Sequence, residues 1–349
     1  MLPGSGCFQD QWTGLNVTGK LALVKRGTCP ISDKLKIAKN LGALGVILFH
    51  NTNSTPNAAT LGAENIGLLA PVGLVALNIG ESWRTRIAAN ETLTVNLLVD
   101  SIVESRTSWN VFAETHEGDP NNVIMLGAHL DSVLDGPGMN DDGSGVSAQI
   151  EIIKALRSFR GIKNKLRFAF WGAEEAGLVG SLYYTGHLTS EEADRIRFYF
   201  NYDMIGSPKP VYGIYVGDNP GDKVGAQILL DSLVSKGKPA YLGSFGTGSD
   251  YVGFLQLGIP SSGIHTGGGI PADPCYHLAC DTYTNIDWMA LESNTMAAAN
   301  AAAALALSVE NLPPRNKTSV NRWQFQAWED VKLETAGGHT CALKSKRIV

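Results

Sequence analysis

Three apolar runs of strand length, each followed at once by acidic or imidazole side chains, constrain this chain more than any other feature. VIMLGAHL (123–130), KLRFAFWG (165–172) and RFYFNYDM (197–204) are separated by amphipathic stretches, of which Gly145 to Phe159 is the most helical. Strands alternating with helices imply a largely parallel sheet, because parallel neighbours need a crossover long enough to hold a helix. Such strands are covered on both faces and so read as continuous apolar runs. Ligands of such sheets gather at the carboxyl ends of the strands. Here His129 and Asp131 follow the first run, Glu174 and Glu175 the second, and Asp203 the third. The fold class expected is α/β, a mixed, largely parallel central sheet flanked by helices, running over residues 104–312.

The first 103 residues read as a separate, small α/β unit. LNVTGKLALVKRG (15–27) has the pattern of a strand pair, and a helical stretch follows from Cys29 with Ile31, Leu35, Ala38 and Leu41 on one face. Gly42 and Gly45 close that stretch, and VILFH is a short buried strand. No charged triad or metal-spaced cluster occurs in this part, so it reads as a scaffold or lid. Residues 313–349 open with Pro313 and Pro314 and end KSKRIV without period or motif.

Composition excludes several classes. Of 349 residues 44% are hydrophobic and only 17% charged, which suits neither disorder nor a coiled coil. Lys and Arg number 28 against 33 Asp and Glu, so no basic surplus exists for a nucleic-acid backbone. The most membrane-like stretch, Met296 to Val309, is mostly alanine and falls short of the roughly 20 apolar residues of a span. MLPGSGCFQD carries no leader pattern. Five cysteines, with Cys275 and Cys280 in CYHLAC, and four Asn-x-Ser/Thr sequons at Asn16, Asn53, Asn90 and Asn316 favour a secreted or vacuolar protein. That expectation makes this chain a processed or incomplete form whose leader is not present.

Five potential metal ligands lie at strand ends or in glycine-rich loops: His129, Asp141, Glu175, Asp203 and His277. Two His and three carboxylates suffice for two zinc ions with two private ligands each and one bridge. Taken singly, each has a plainer explanation. A lone buried His is usually a satisfied core residue, Asp141 and Glu175 are suited to capping helices, and GMNDDGSG has the glycines of a turn. Their joint occurrence where a parallel sheet converges its loops outweighs those explanations. GSGVSA (143–148) fits a loose dinucleotide pattern, but its glycines suit the turn after Asp141 better, and HEGDP (116–120) lacks the second His of a zincin helix. No G-x-S-x-G elbow or Walker loop is present.

In that order, GAHLDS, MNDDGSG, FWGAEEAGLVGS, FNYDMIGS and CYHLACD resemble the motifs of the co-catalytic zinc aminopeptidases of metallopeptidase family twenty-eight, with vacuolar and secreted fungal members nearest. The resemblance covers residues 109–312, while GKLALVKRGTCP is similar to the protease-associated domain that such enzymes carry as an insertion. It implies two Zn2+ per chain, with His129 and Asp203 on one, Glu175 and His277 on the other, and Asp141 bridging. It also implies Glu174 as general base, Asp131 orienting the His129 imidazole, Tyr276 stabilising the oxyanion, and a Cys275–Cys280 disulfide pinning the His277 loop. The expected substrates are peptides with a free N-terminus, cleaved after apolar residues such as Leu, with no nucleic-acid partner. Two departures stand out: Gly248 replaces an Arg found before Ser249–Asp250 in some bacterial members, and the stretch from Thr266 to Cys275 is short. The family segment normally preceding the inserted domain is also not seen at the start of this chain. Cys7 and Cys29 can pair within the first domain, leaving Cys341 odd. The competing readings are a receptor-like protein without activity, a carboxypeptidase, and a glutaminyl cyclase on the same fold.

Overall fold

The structure, a computed structural model, describes residues 5–53, 61, 65–100 and 106–317, and it divides into two compact units, 1–106 and 107–349. In the first unit, β1 (Leu21–Lys25), β2 (Gly45–Phe49) and β3 (Val72–Val75) form a parallel sheet in that order, with α1 (Ile31–Asn40) and α2 (Leu77–Ala88). All five residues of β2 are buried. Trp12, Val24, Leu35, Val46 and Leu48 make up the centre of its core. Gly80 lets α2 lie against β2, since a Cβ there would sit 2.1 Å from Phe49. A Cys7–Cys29 disulfide closes the unit, and Cys341 lies outside the described residues. The strand pair expected over 15–27 is a single strand. Leu15–Lys20 instead turns through Gly19, whose φ of +70° ends any pairing.

The second unit runs β4 (Val111–Glu114), β5 (Asp119–His129), α3 (Gly143–Leu156), β6 (Asn164–Trp171), α4 (Val179–Gly186), α5 (Ser190–Arg195) and β7 (Ile196–Tyr202). It continues through β8 (Tyr212–Tyr215), α6 (Asp222–Ser235), β9 (Ala240–Gly243), α7 (Tyr251–Gln256), β10 (Ser261–His265) and α8 (Trp288–Leu307). These form one seven-stranded sheet in the order β4-β6-β5-β7-β10-β8-β9. The four central strands β6, β5, β7 and β10 are mutually parallel, and β4 and β8 join them antiparallel. The sheet is therefore mixed and largely parallel, with helices on both faces, as the strand–helix alternation implies. Sequence reading found only three of its strands. The other four are four or five residues long, too short for periodicity to separate from loops.

Core residues from α3, α6 and α8 cover one face, meeting Ile124, Leu126, Phe198, Phe200 and Tyr202. Residues of α5 and α7, with partly buried ones of α4, cover the other face over Met125, Trp171 and Tyr199. Ala290, Ala297, Ala298, Ala301, Ala302 and Ala306 of α8 are buried and let that helix approach closely. The helix is 20 residues long and takes in most of the alanine-rich stretch; the Asp287 side chain caps its start by accepting from Met289 N and Ala290 N. No helix among the described residues is long and apolar enough to cross a membrane.

The chain leaves β5 for β6 on one side and reaches β7 on the other, so strand order reverses at β5. A crevice opens at such a switch point, at the carboxyl end of the strand. That end is His129.

The glycines of GSGVSA are steric. A Cβ on Gly145 would lie 2.0 Å from Tyr202 O, where the first turn of α3 crosses the end of β7. Gly145→Ala should cost about 3 kcal/mol in urea unfolding of the full chain. Gly186→Ala, with nothing within 4 Å of the new Cβ, should be neutral or stabilising by up to about 1 kcal/mol. Equal midpoints for the two variants would contradict this account.

Candidate metal centre

One buried carboxylate assembles the backbone around the crevice. Asp142 Oδ2 accepts from His129 N at 3.0 Å, and its Oδ1 accepts from Gly145 N at 3.0 Å and Met204 N at 3.3 Å. The end of β5, the start of α3 and the end of β7 are thereby tied to one side chain. Asp142, not Asp141, is the helix cap.

Asp141 precedes it across a cis peptide bond and faces two imidazoles. Its Oδ1 lies 3.1 Å from His129 Nε2, and its Oδ2 lies 3.1 Å from His277 Nε2. His129 Nε2 is also 3.6 Å from Asp203 Oδ1 and 3.9 Å from Glu174 Oε2, and His277 Nε2 is 3.2 Å from Glu175 Oε2. The fold thus brings all five expected ligands and Glu174 together from five separate segments. Two atoms bound to one tetrahedral zinc at about 2.05 Å lie roughly 3.3 Å apart. The four closest separations bracket that value. His129 Nε2, Glu175 Oε1 and Asp203 Oδ1 are buried with no hydrogen-bond partner among the described residues, as expected of atoms that meet a cation. Donor types and spacing therefore fit zinc.

The surroundings hold these groups in place. His129 Nδ1 donates to the backbone O of Asp131 at 2.9 Å, which turns Nε2 toward Asp141 and leaves it the nitrogen available to a cation once the ring is neutral. The Asp131 carboxylate, expected to orient the imidazole, is 3.9 Å from that nitrogen and does other work. Its two oxygens accept from Glu174 N at 2.9 Å and Glu175 N at 3.1 Å, fixing the turn after β6. His277 sits at φ 59°, bracketed by the Cys275–Cys280 disulfide and stacked on Tyr276 at 3.8 Å between ring centroids.

Two acids not singled out in the sequence join this loop to Asp141. Asp281 accepts from Asn140 N at 2.9 Å and Asp141 N at 3.1 Å, while Asp273 accepts from Asn140 Nδ2 at 2.7 Å and Cys275 N at 2.9 Å. Their one sequence signal was position: Asp281 ends CYHLACD and Asp273 stands two residues before its start.

The same packing sets the charges. Burial opposes a charged His277, but ion pairing with Asp141 and Glu175 carries its pKa up to about 9. Burial likewise opposes charge on His129, yet Asp141 and Asp203 hold its pKa well above 6.5. Burial would raise Asp141, but the two imidazoles bring it down to about 2. Glu174 is pushed up to about 10 by burial, helped by Asp203, Asp250 and Glu175 against the pull of His129.

Beside the ligands, Met204, Tyr215, Gly248, His265, Gly268 and Tyr276 line a cleft of about 220 Å³. Tyr276 is 37% exposed and opens on that cleft. A Cβ on Gly248 would meet nothing within 4 Å, so the absent Arg leaves open space. Of the sequon residues, Asn16, Asn53 and Asn90 are exposed and Asn316 is half-buried, its N–H donating to Gly258 O at 3.1 Å.

Residues 110–302 match the model of peptidase family M28, and residues 1–83 match that of the PA domain. The chain is 39% identical over 364 residues to "Probable leucine aminopeptidase 2" of Aspergillus fumigatus, covering 96% of this chain and 72% of that protein. It is 38% identical over 331 residues to "Aminopeptidase Y" of Saccharomyces cerevisiae, covering 90% of this chain and 61% of that one. Among solved structures, an aminopeptidase from Aneurinibacillus sp. strain AM-1 superposes with a TM-score of 0.70 at 27% identity, over 89% of this chain and 76% of the other. A zinc aminopeptidase from Bacillus subtilis gives 0.63 at 26% identity, over 89% and 75%.

Zinc ligation needs neutral imidazoles, whereas the metal-free site keeps them protonated at neutral pH. Zinc added to metal-free protein near neutral pH should therefore release protons, about one per imidazole, seen as a binding enthalpy that varies with the ionisation enthalpy of the buffer. The contribution of His277 should fade as pH passes about 9. A folded pKa raised above 6.5 also means that the native state holds the extra proton. The stabilisation from His277 in metal-free protein is thus full below pH 6.5 and lost as pH rises through about 9. Enthalpies independent of buffer would contradict the protonated site.

Proposed function

The chain belongs to peptidase family M28 and is an aminopeptidase of that family, and we propose that it releases N-terminal residues, apolar ones such as Leu foremost, using two zinc ions and Glu174 as general base. The observation that carries this reading is Asp141, which sets one carboxylate oxygen against each of two imidazoles. His129 and Asp203 hold one ion, Glu175 and His277 the other, and Asp141 both. When bound, the pair supplies Lewis acidity to the scissile carbonyl and lowers the pKa of the attacking water.

The remaining chemistry falls to the side chains. Glu174 is adjacent in sequence to a ligand but not needed as one, so its carboxylate is free to take the water's proton and return it to the leaving amine. Glu174 would give up the proton that burial otherwise keeps on it once positive charge is held by the neighbouring ligands. The Tyr276 hydroxyl keeps its proton because burial and the neighbouring carboxylates raise its pKa, and it donates to the developing oxyanion. The acidic floor favours a protonated α-amine. Met204 and Tyr215, with the open space at Gly248, offer the N-terminal side chain an apolar wall. The residues around 1–103 act as a protease-associated domain. Exposed sequons and two disulfides support a secreted or vacuolar site of action.

Purified full chain should carry about two zinc per molecule. It should hydrolyse leucyl peptides and ignore the same peptides once N-acetylated; a carboxypeptidase would tolerate acetylation. Glu174→Gln should keep both metals and lose about 10³ in kcat. Asp141→Ala should lose zinc as well as rate, by metal analysis on the same samples. Near-normal turnover in Glu174→Gln would sink the mechanism, and full occupancy in Asp141→Ala would sink the bridge.

A further inference from the structure

A line of buried hydrogen bonds runs from the core of the second unit to Asp203, and neither the family match nor the mechanism uses it. Trp171 Nε1 donates to Tyr199 Oη at 3.0 Å, and Tyr199 Oη donates to Asn201 Oδ1 at 2.9 Å. Asn201 Nδ2 then donates to Ser249 Oγ at 2.8 Å, and Ser249 Oγ donates to Asp203 Oδ2 at 2.6 Å. Trp171 and Tyr199 are fully buried, and Asn201 and Ser249 are within 2% of it.

Both ends fix the direction of this line. An indole N–H can only donate, and an ionised carboxylate can only accept. Tyr199 must therefore spend its one hydrogen on Asn201, the amide must turn its NH2 to Ser249, and the serine hydroxyl must point at Asp203. Burial raises the Tyr199 pKa well above its ordinary value, so that hydrogen is present at any working pH.

The sheet is built to let the line pass. Tyr199 and Asn201 alternate on one face of β7, with Asp203 one residue past its end, while Trp171 ends β6 on the far side of β5. The bond between them crosses β5 at Gly127, where a Cβ would lie 2.1 Å from Tyr199 Oη and 2.6 Å from Trp171 Nε1. Phe254 stacks on the Tyr199 ring at 3.7 Å and 4°, holding the phenol in line. The outcome falls on a single atom. Asp203 Oδ2 is occupied by the serine, and Oδ1 is left buried and unpartnered, 3.6 Å from His129 Nε2.

We propose that Tyr199 is a positioning residue for the metal centre, acting through Asn201 and Ser249 to hold Asp203 with Oδ1 turned to the ion. The proposal rests on the reading of Asp203 as a zinc ligand. Losing an outer hydrogen bond of this kind weakens metal binding by about ten- to a hundred-fold, with no contact between the altered residue and the ion.

The test is a double-mutant cycle on zinc affinity, read by chelator competition on metal-free full chain, with urea midpoints measured alongside. Tyr199→Phe removes one oxygen and keeps the ring, and Ser249→Ala removes the last donor. Each should weaken the zinc assigned to His129 and Asp203 about ten-fold or more. The double variant should be little worse than Ser249→Ala alone, because Tyr199 acts only through the serine. Ser249→Thr keeps the hydroxyl and should restore affinity. If Tyr199→Phe does not fold, Trp171→Phe removes the first donor while keeping an aromatic ring, and it must shift affinity the same way. Affinity within two-fold of wild type in Tyr199→Phe, or losses that multiply in the double variant, would overturn the proposal and leave the zinc reading intact. Wild-type chain that takes up no zinc would overturn both.

Discussion

A single carboxylate shared between two imidazoles sets the terms for the rest of this structure. Asp141 can face His129 and His277 together only if the end of β5 and a loop well over a hundred residues later meet within a few ångströms. Most of the buried polar bonding nearby serves that meeting. Asp142 binds three backbone amides below it, and Asp281 binds the amides of Asn140 and Asp141 above it. Asp273 ties Asn140 to the disulfide loop that carries His277. These supporting acids thus hold the candidate ligands in place, and each is satisfied by backbone or amide donors, which keeps burial affordable.

The groups that line the crevice are left in the opposite condition. Burial and mutual repulsion drive Glu174 up, and the imidazoles carry positive charge that ligation to a metal would require them to give up. A site with this much unresolved electrostatics costs folding free energy that the remaining core must offset. Two closely packed cores on either face of a seven-stranded sheet provide that margin. A dication bound among these groups would remove the conflict, and folding and metal uptake would then be coupled by the same side chains.

The ligand types and their placement after strands were legible because they depend on a local rule. A buried parallel strand is an unbroken apolar run, and its polar terminus marks the crevice. The motifs' resemblance to a known family added an expectation of which residue would face which ion. What escaped was of two kinds. Strands such as β8 and β9 are too short and too mixed to show a period. Supporting groups such as Asp142, Asp273 and Asp281 look like ordinary loop acids, and only their partners set them apart. Asp131 was noticed for its spacing to His129, yet its backbone carbonyl meets the imidazole and its carboxylate holds Glu174 and Glu175. Spacing alone does not say which atoms of a residue face its neighbour.

Sequence by itself determined the α/β class, the strand ends where chemistry collects, and the donor types that suit zinc. These follow from hydrophobic pattern and ligand chemistry, both properties of a residue and its near neighbours. Tertiary structure alone decided that five candidate ligands from five segments lie about one zinc diameter of coordination apart, that Asp142 instead holds three backbone amides, and that a core tryptophan is wired to Asp203 through the gap at Gly127. Those facts depend on distances between residues far apart in the chain, which are set by packing and register.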